Sequence, residues 1–317
     1  MTMRIIEAEN IRAGVGFEDL VDPVARAFEE SSAGLADNGL IAMFPATRRE
    51  DGDVYVKTGT LRGHPVYIVK VAPWFGSNVE RGRPQGGLVG VFDSNTGQTL
   101  ALLQDEHYLS DIRTAAAGAV AARWLAPADV CTAAVLGSGV QAYWQPLALY
   151  RERPFTRLTI WARNPKKADL LRARLTVKLP GVTITCSSDL ERTVRGADVL
   201  ITATQAREPL VRGEWLAGGT HITAVGADDA TKCELDSTAL RRARVFVDAR
   251  ATAEANGDVH RAISAARYSI TDLAGELGDV ISGRTVGRTS DADITIAKLV
   301  GIGAQDLVAA EATLARL

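Results

Sequence analysis

Between residues 54 and 103, apolar and polar positions alternate in short runs, and a period of two predicts strands. The runs fall at 54–57, 66–71, 87–93 and 99–103, separated by Gly59, Gly63-His64-Pro65 and Asn95-Thr96-Gly97. They predict a mostly antiparallel sheet. The period then lengthens: a helix is expected to start near Ser110 and Asp111, whose side chains can cap it, and to continue through the Ala-rich stretch 114–125, ended by Pro127. Beyond it, apolar runs at 132–136, 157–161, 183–186, 199–202, 221–225 and 244–248 alternate with helical stretches that start at Val140 and Pro165. Such alternation predicts a parallel sheet with helices on both faces. Residues 295–317 read as helix. The expected architecture is α/β: a Rossmann-type doubly wound parallel sheet over 119–294, plus an α+β domain formed by 1–118 and completed by the C-terminal helix within 295–317.

Composition narrows the partners. The chain has 317 residues, 46% apolar and 23% charged, enough to bury two cores. With 36 basic against 38 acidic residues and no basic run, nucleic acid is not an expected partner. Cys131, Cys186 and Cys233 lie far apart without a neighbouring His, which argues for reduced thiols in the cytoplasm and against a metal site. Neither a secretory leader nor an apolar run of membrane-spanning length is visible, so no membrane association is expected.

The most specific local feature is Ala133-Ala134-Val135-Leu136 followed by Gly137-Ser138-Gly139-Val140-Gln141-Ala142. A strand, a glycine-rich turn and a helix start form the pyrophosphate cradle of dinucleotide folds. Gly137 serves the tight turn, Gly139 the close approach of backbone to phosphate, and Ala142 the helix packing. The second strand of such a fold usually ends in an acid that holds ribose hydroxyls, but here it ends in Trp161-Ala162-Arg163-Asn164, with Lys166 and Lys167 beyond. Arg163 either meets a 2′-phosphate, favouring NADP, or stacks on adenine and leaves NAD open.

Four further residues are candidates for chemistry. Lys70 shares a strand face with Val66 and Ile68, where a lysine is costly unless paired; the alternative is a strand-edge lysine reaching water. Lys57 lies in a similar strand. Arg113 stands near the start of the Ala-rich helix, against the helix dipole, and calls for an anion: a ligand carboxylate or phosphate, or simply Asp111. Asp228 follows Ala224-Val225-Gly226-Ala227 just past a strand, where ligands of parallel sheets sit; it is a candidate proton donor or acceptor, with helix capping as the alternative. The four histidines form neither a metal pair nor a triad.

Taken in order, Arg113-Thr114-Ala115-Ala116, the glycine turn at 137–142, Ala224 to Asp228 with Lys232 and Glu234, and Gly303 to Asp306 resemble the ordered blocks of the ornithine cyclodeaminase and mu-crystallin family. The resemblance implies a homodimer with an N-terminal substrate and dimerisation domain and a Rossmann domain. It implies that Lys70 and Arg113 hold a substrate carboxylate, and that Asp228 does proton chemistry beside a nicotinamide. Thr114, Val140, Gln141, Thr204, Val225, Gly226 and Lys232 match positions near the cofactor. Val56-Lys57-Thr58-Gly59, 105–113 and 223–232 look most like the branch containing iminosuccinate reductase and ectoine-utilisation proteins. That likeness implies NADH, with NADPH as the other option. A dicarboxylic imine would suit the extra cations Lys57 and Arg48. The expectation is therefore an NAD(P)H-dependent imine reductase making an L-amino acid, best matched to iminosuccinate and L-aspartate. The rivals are an ornithine cyclodeaminase-type lyase with bound NAD, an alanine dehydrogenase or cyclic-imine reductase, and a non-catalytic, crystallin-like NADPH binder.

Overall fold

The structure, a computed structural model, describes residues 3–48, 51–83 and 85–317. The chain divides into two compact units: one comprises Met1–Arg113 with Ile302–Leu317, the other Thr114–Gly301.

The first unit is built on a six-stranded sheet of β1 (Arg4–Glu7), β2 (Ala36–Met43), β3 (Gly52–Leu61), β4 (Val66–Phe75), β5 (Leu88–Asp93) and β6 (Thr99–Gln104). The strand order is β1-β6-β5-β4-β3-β2; β1 pairs parallel with β6, and every other pairing is antiparallel. Along β4 the alternation is regular: Val66, Ile68, Lys70 and Ala72 are buried on one face. Helix Gly303–Arg316 packs against β3 and β4. Its approach depends on two glycines, because a methyl group on Gly59 would collide with the Gly303 backbone, and one on Gly303 with the carbonyl of Thr58.

Three expectations need correction here. Strands β1 and β2 were not foreseen; β2 is an edge strand with most of its residues exposed, so Ala-Asp-Asn-Gly-Leu-Ile-Ala-Met carries no alternation to read. The Ala-rich helix begins at Tyr108, before the expected cap. The Leu109 N–H at its start bonds Asp105 Oδ2 at 3.0 Å, whereas Ser110 and Asp111 lie within the helix and bond other side chains. Residues 295–298 form a strand, and the last helix starts only at Gly303. Thr295 to Lys298 are fully buried within a sheet, and four-residue apolar runs buried on both sides have no period that separates strand from helix.

The second unit carries an eight-stranded, wholly parallel sheet: β7 (Thr132–Leu136), β8 (Arg157–Trp161), β9 (Thr183–Ser187), β10 (Val199–Thr202), β11 (His221–Ala224), β12 (Arg244–Val247), β13 (Gly275–Glu276) and β14 (Thr295–Lys298). Its order, β13-β12-β14-β11-β10-β7-β8-β9, reverses direction at β7, which lies between β8 and β10. Alternate residues feed two cores. Ala134, Leu136, Leu200 and Ile222 enter one, and Ala133, Val135, Leu158 and Ile160 enter the other. This is the doubly wound Rossmann arrangement, with its topological switch point at the carboxyl end of β7. Among the described residues no helix is long and apolar enough to cross a membrane.

Candidate functional site

In the first unit the sequence candidates converge on one buried cluster. Lys70, Arg113 and Lys57 retain only 2%, 6% and 7% of their exposure. Lys70 Nζ donates to Asp306 Oδ1 at 2.7 Å and to Ser110 Oγ at 3.2 Å. Arg113 Nε donates to the same Asp306 oxygen at 2.9 Å, while its terminal nitrogens reach Ser110 Oγ and Gln305 Oε1 at 3.3 and 3.4 Å. Neither lysine is the water-seeking surface residue that was the alternative reading, and Arg113 pairs with Asp306 rather than Asp111, whose Oδ1 meets His107. Arg48 lies in an exposed loop and binds Asp51 through two hydrogen bonds of 2.9 Å.

The charges of the cluster shift one another. Burial alone would raise the Asp306 pKa, but Arg113, Lys70 and Lys57 together outweigh it and hold that carboxyl well below the usual range. Burial lowers the pKa of Lys70, opposed by Asp306 and reinforced by Arg113. Asp105, also buried, is pushed up by burial, partly offset by Lys70 and His107. Lys70 and Arg113 therefore share one firmly ionised carboxylate. Buried charge is tolerated when paired. Asp306, Gln305, Ser110 and Asp105 were not among the sequence candidates, although Asp306 lies in one of the blocks that carried the family resemblance. An acid in the first turn of a helix reads as an ordinary N-terminal preference, and nothing in the spacing couples residue 306 to residue 70.

In the second unit the glycine turn sits at the switch point. Gly137 has φ 130° and donates its N–H to the Trp161 carbonyl at 2.8 Å. A side chain there would strike the Ala203 carbonyl, whereas a Cβ on Gly139 meets nothing within 4 Å. Open space at Gly139, followed by helix Val140–Glu152 whose first N–H groups lack a side-chain cap, fits a pyrophosphate. Val140 is exposed, Gln141 is half-buried and bonded by Gln145 Nε2 at 3.1 Å, and the Thr114 carbonyl accepts from Gln145 Nε2 at 2.8 Å. Arg163 is exposed just past β8.

The loops after β10 and β11 are joined by Glu234, which is fully buried. One of its oxygens accepts from Thr204 N and Oγ1 at 2.7 and 2.8 Å; the other accepts from Thr202 Oγ1, Gly226 N and Ala227 N at 2.8, 2.9 and 3.2 Å. Burial and Asp258 push its pKa up, against Lys298, yet every contact is donated to it, the pattern of a carboxylate. Asp258 in turn accepts from the backbone N–H groups of Glu234 and Leu235. Just beyond Gly226 and Ala227 comes Asp228, half-exposed, with Lys232 Nζ 2.5 Å from its Oδ1. Asp228 caps no helix; Asp229 fills the local role, accepting from Thr231 and Lys232 N. Lys232 thus fixes one oxygen of Asp228 while the side chain keeps access to solvent.

Among the described residues no group of three or more His, Cys, Asp and Glu is arranged to hold a metal.

Comparison with known proteins places the chain among relatives of similar length. The chain is 39% identical to an uncharacterized cyclodeaminase of Sinorhizobium fredii, over 96% of this chain and 93% of that one. It is 38% identical to a putative dehydrogenase of Rhizobium meliloti, over 99% and 95%. Among solved structures it superposes on the Thermococcus litoralis Δ1-pyrroline-2-carboxylate reductase in complex with NADH and L-proline, with a TM-score of 0.92 at 27% identity, covering 99% and 97%. It also superposes on the iminosuccinate reductase of Paracoccus denitrificans in complex with NAD+, with a TM-score of 0.89 at 28% identity, covering 99% and 95%. A family model for the ornithine cyclodeaminase/mu-crystallin family matches residues 2–316. The chain belongs to the ornithine cyclodeaminase/mu-crystallin family.

Proposed function

We propose that this protein is a nicotinamide-dependent imine reductase that converts a 2-imino acid to an L-amino acid, with iminosuccinate to L-aspartate as the best-matched reaction and NADH as the reductant. The observation that carries this reading is the buried pair Lys70 and Arg113, which converge on one oxygen of Asp306 in the first unit. Lys70 and Arg113 hold the carboxylate next to the imine carbon, and Lys57, their neighbour in the sheet, supplies the charge for a second carboxylate. The diamino acid ornithine brings an extra ammonium, which this cluster opposes. The NADH and NAD+ complexes of the two solved relatives, together with the open glycine turn, support dinucleotide binding by Gly137 to Gln141, Thr204, Val225 and Gly226. When bound, the reduced nicotinamide supplies the hydride. Asp228 is the proton source that keeps the imine in its electrophilic iminium form, and Lys232 orients it. The protein acts as a cytoplasmic homodimer. Exposed Leu40, Ile41 and Met43 on the edge strand β2 support association through that strand.

The test is NADH oxidation by the purified protein with iminosuccinate, generated from oxaloacetate and ammonia, beside pyruvate with ammonia and a cyclic imine. Fast oxidation with the dicarboxylic imine alone supports the reading. Turnover only of the cyclic imine or of pyruvate with ammonia moves the substrate to a monocarboxylate. Ammonia release from ornithine without added reductant moves the reaction to a cyclodeaminase, as the Sinorhizobium relative is described.

A further inference from the structure

We propose that Gly257, Asp258 and Lys298 are positioning residues for Asp228: they fix the loop that carries it and so set the rate of proton transfer. The inference rests on the reading of Asp228 as the proton source and adds the groups that hold it in place. Three contacts converge on the segment from Ala224 to Leu235, all within the second unit. Lys298 Nζ, at the carboxyl end of β14, donates to the Ala224 carbonyl at 3.3 Å, where the loop begins. Gly257 N donates to the Asp229 carbonyl at 2.8 Å, one residue past Asp228. Asp258 Oδ1 accepts from Glu234 N and Leu235 N at 2.6 and 2.8 Å, where the loop ends. The Lys298 ammonium lies 3.4 Å from the other Asp258 oxygen. The start, middle and end of the loop are thus held by two adjacent residues and one lysine.

Lys298 and Asp258 are both buried, and burying two charges offsets most of what their attraction returns, so the pair is poorly explained by stability alone. What the charged groups provide, and apolar side chains of the same size would not, is geometry: an acceptor for two loop N–H groups and a donor for a loop carbonyl. Gly257 adds a steric condition. Its φ of 71° is left-handed, and a Cβ there would run into the Ala227 carbonyl oxygen and Lys298 Cε. Backbone packed this closely against the residue before Asp228 leaves the loop no room to slide. Asp228 keeps 40% of its side-chain exposure, so its place is set by Lys232 and by the backbone beneath it rather than by packing. A proton donor works only when held within hydrogen-bond reach of its target.

The experiment measures imine reduction and its solvent deuterium isotope effect on the purified, full-length protein, with NADH affinity taken from a fluorescence titration. Gly257→Ala displaces the Ala227 carbonyl and should lower kcat about 10-fold or more, since a small misplacement of a reacting group costs up to about 100-fold. KM and the NADH dissociation constant should stay within about 3-fold of the wild type, the mark of an interaction used in the chemical step. The isotope effect on kcat should rise, because proton transfer becomes the slow step. In an Asp228→Asn background, read on its residual turnover, the same substitution should cost less than about 2-fold, as no proton donor is left to misplace. Asp258→Asn combined with Lys298→Met is the second variant. It removes both charges together, keeps an acceptor for the two N–H groups and gives up the bond to Ala224. It should repeat the fall in kcat and the rise in isotope effect, and it decides the matter if Gly257→Ala does not fold. Wild-type kcat in either folded variant, or equal losses with and without Asp228, overturns the proposal and leaves the reductase reading standing. A wild-type protein that binds NADH but turns over no imine overturns the reductase reading, and this inference with it.

Discussion

Lys57 and Lys70 stand directly opposite each other in the β3–β4 ladder, and both are buried. Like charges facing across a sheet repel, by a fraction of a kcal/mol to about 1 kcal/mol. On the proposed reading, Lys57 faces the outer carboxylate of the substrate. Lys57→Met should therefore raise the KM for a dicarboxylic imine about 10-fold or more. Turnover of an imine with a single carboxylate should change far less. Equal losses on both substrates would assign Lys57 to holding the sheet rather than to the outer carboxylate.

Lys70 predicts the alkaline limb of the pH profile. Burial lowers its pKa below the ordinary lysine value of 10.5. The ammonium that holds the carboxylate is therefore lost at a lower pH than an exposed lysine would allow, and KM should climb as pH rises through that region. Lys70→Arg keeps its charge throughout and should flatten the climb, even if geometry costs it affinity. If the limb is the same in both, Lys70 does not titrate against the substrate.

Glu234 ties the loop that carries Thr204 to the loop that carries Gly226 and leads into Asp228. In Glu234→Gln an amide NH2 replaces an oxygen and is left facing N–H donors. Stranding about two buried donors costs about 2–4 kcal/mol. The melting temperature should fall, and, among molecules still folded, the dissociation constant for NADH should rise with the loss of loop register. Glu234→Asp keeps the charge but shortens the reach, and should recover part of the cofactor affinity. A glutamine variant with wild-type cofactor affinity would leave Glu234 a purely structural group.

How far the sequence carries the reading depends on which interactions are local. The Rossmann unit is legible because its signals lie within a few residues of one another: apolar runs ended by glycine, and a glycine turn whose φ of 130° at Gly137 no other residue adopts easily. The cation cluster is half legible. Lys70 and Arg113 betray themselves by sitting where a charge is expensive, but the carboxylate that joins them, Asp306, is more than 190 residues further along the chain than either. Its placement depends on the contact between Gly59 and Gly303, and no periodicity records which two glycines touch. The same holds for Glu234: five hydrogen bonds from two segments converge on a residue whose neighbours, Cys233 and Leu235, suggest nothing but core. Strand β14 was misread for a related reason, since burial on both sides erases the alternation that marks a strand.

His221 supplies a stability prediction separate from the chemistry. It is fully buried at the start of β11, with Nδ1 2.9 Å from Thr295 Oγ1 and Nε2 3.1 Å from Thr223 Oγ1. Burial lowers its pKa from 6.5 to about 3, helped by the positive charges of Arg288 and Arg153. The folded state thus holds a neutral imidazole, while the unfolded chain takes up a proton below pH 6.5. Between those two values the unfolded state binds more protons, so stability is full above 6.5 and declines as pH falls toward 3. Asp306 adds a further acid loss, because its folded pKa is lowered and its pairing with Lys70 and Arg113 fails only on protonation. The two contributions separate by mutation. His221→Gln keeps polar atoms near both threonines and cannot be protonated, so the decline in melting temperature from pH 6.5 to about pH 4 should be shallower than in the wild type, even if the variant starts lower. Calorimetry across that range decides it: identical slopes would place the acid sensitivity on the carboxylates alone.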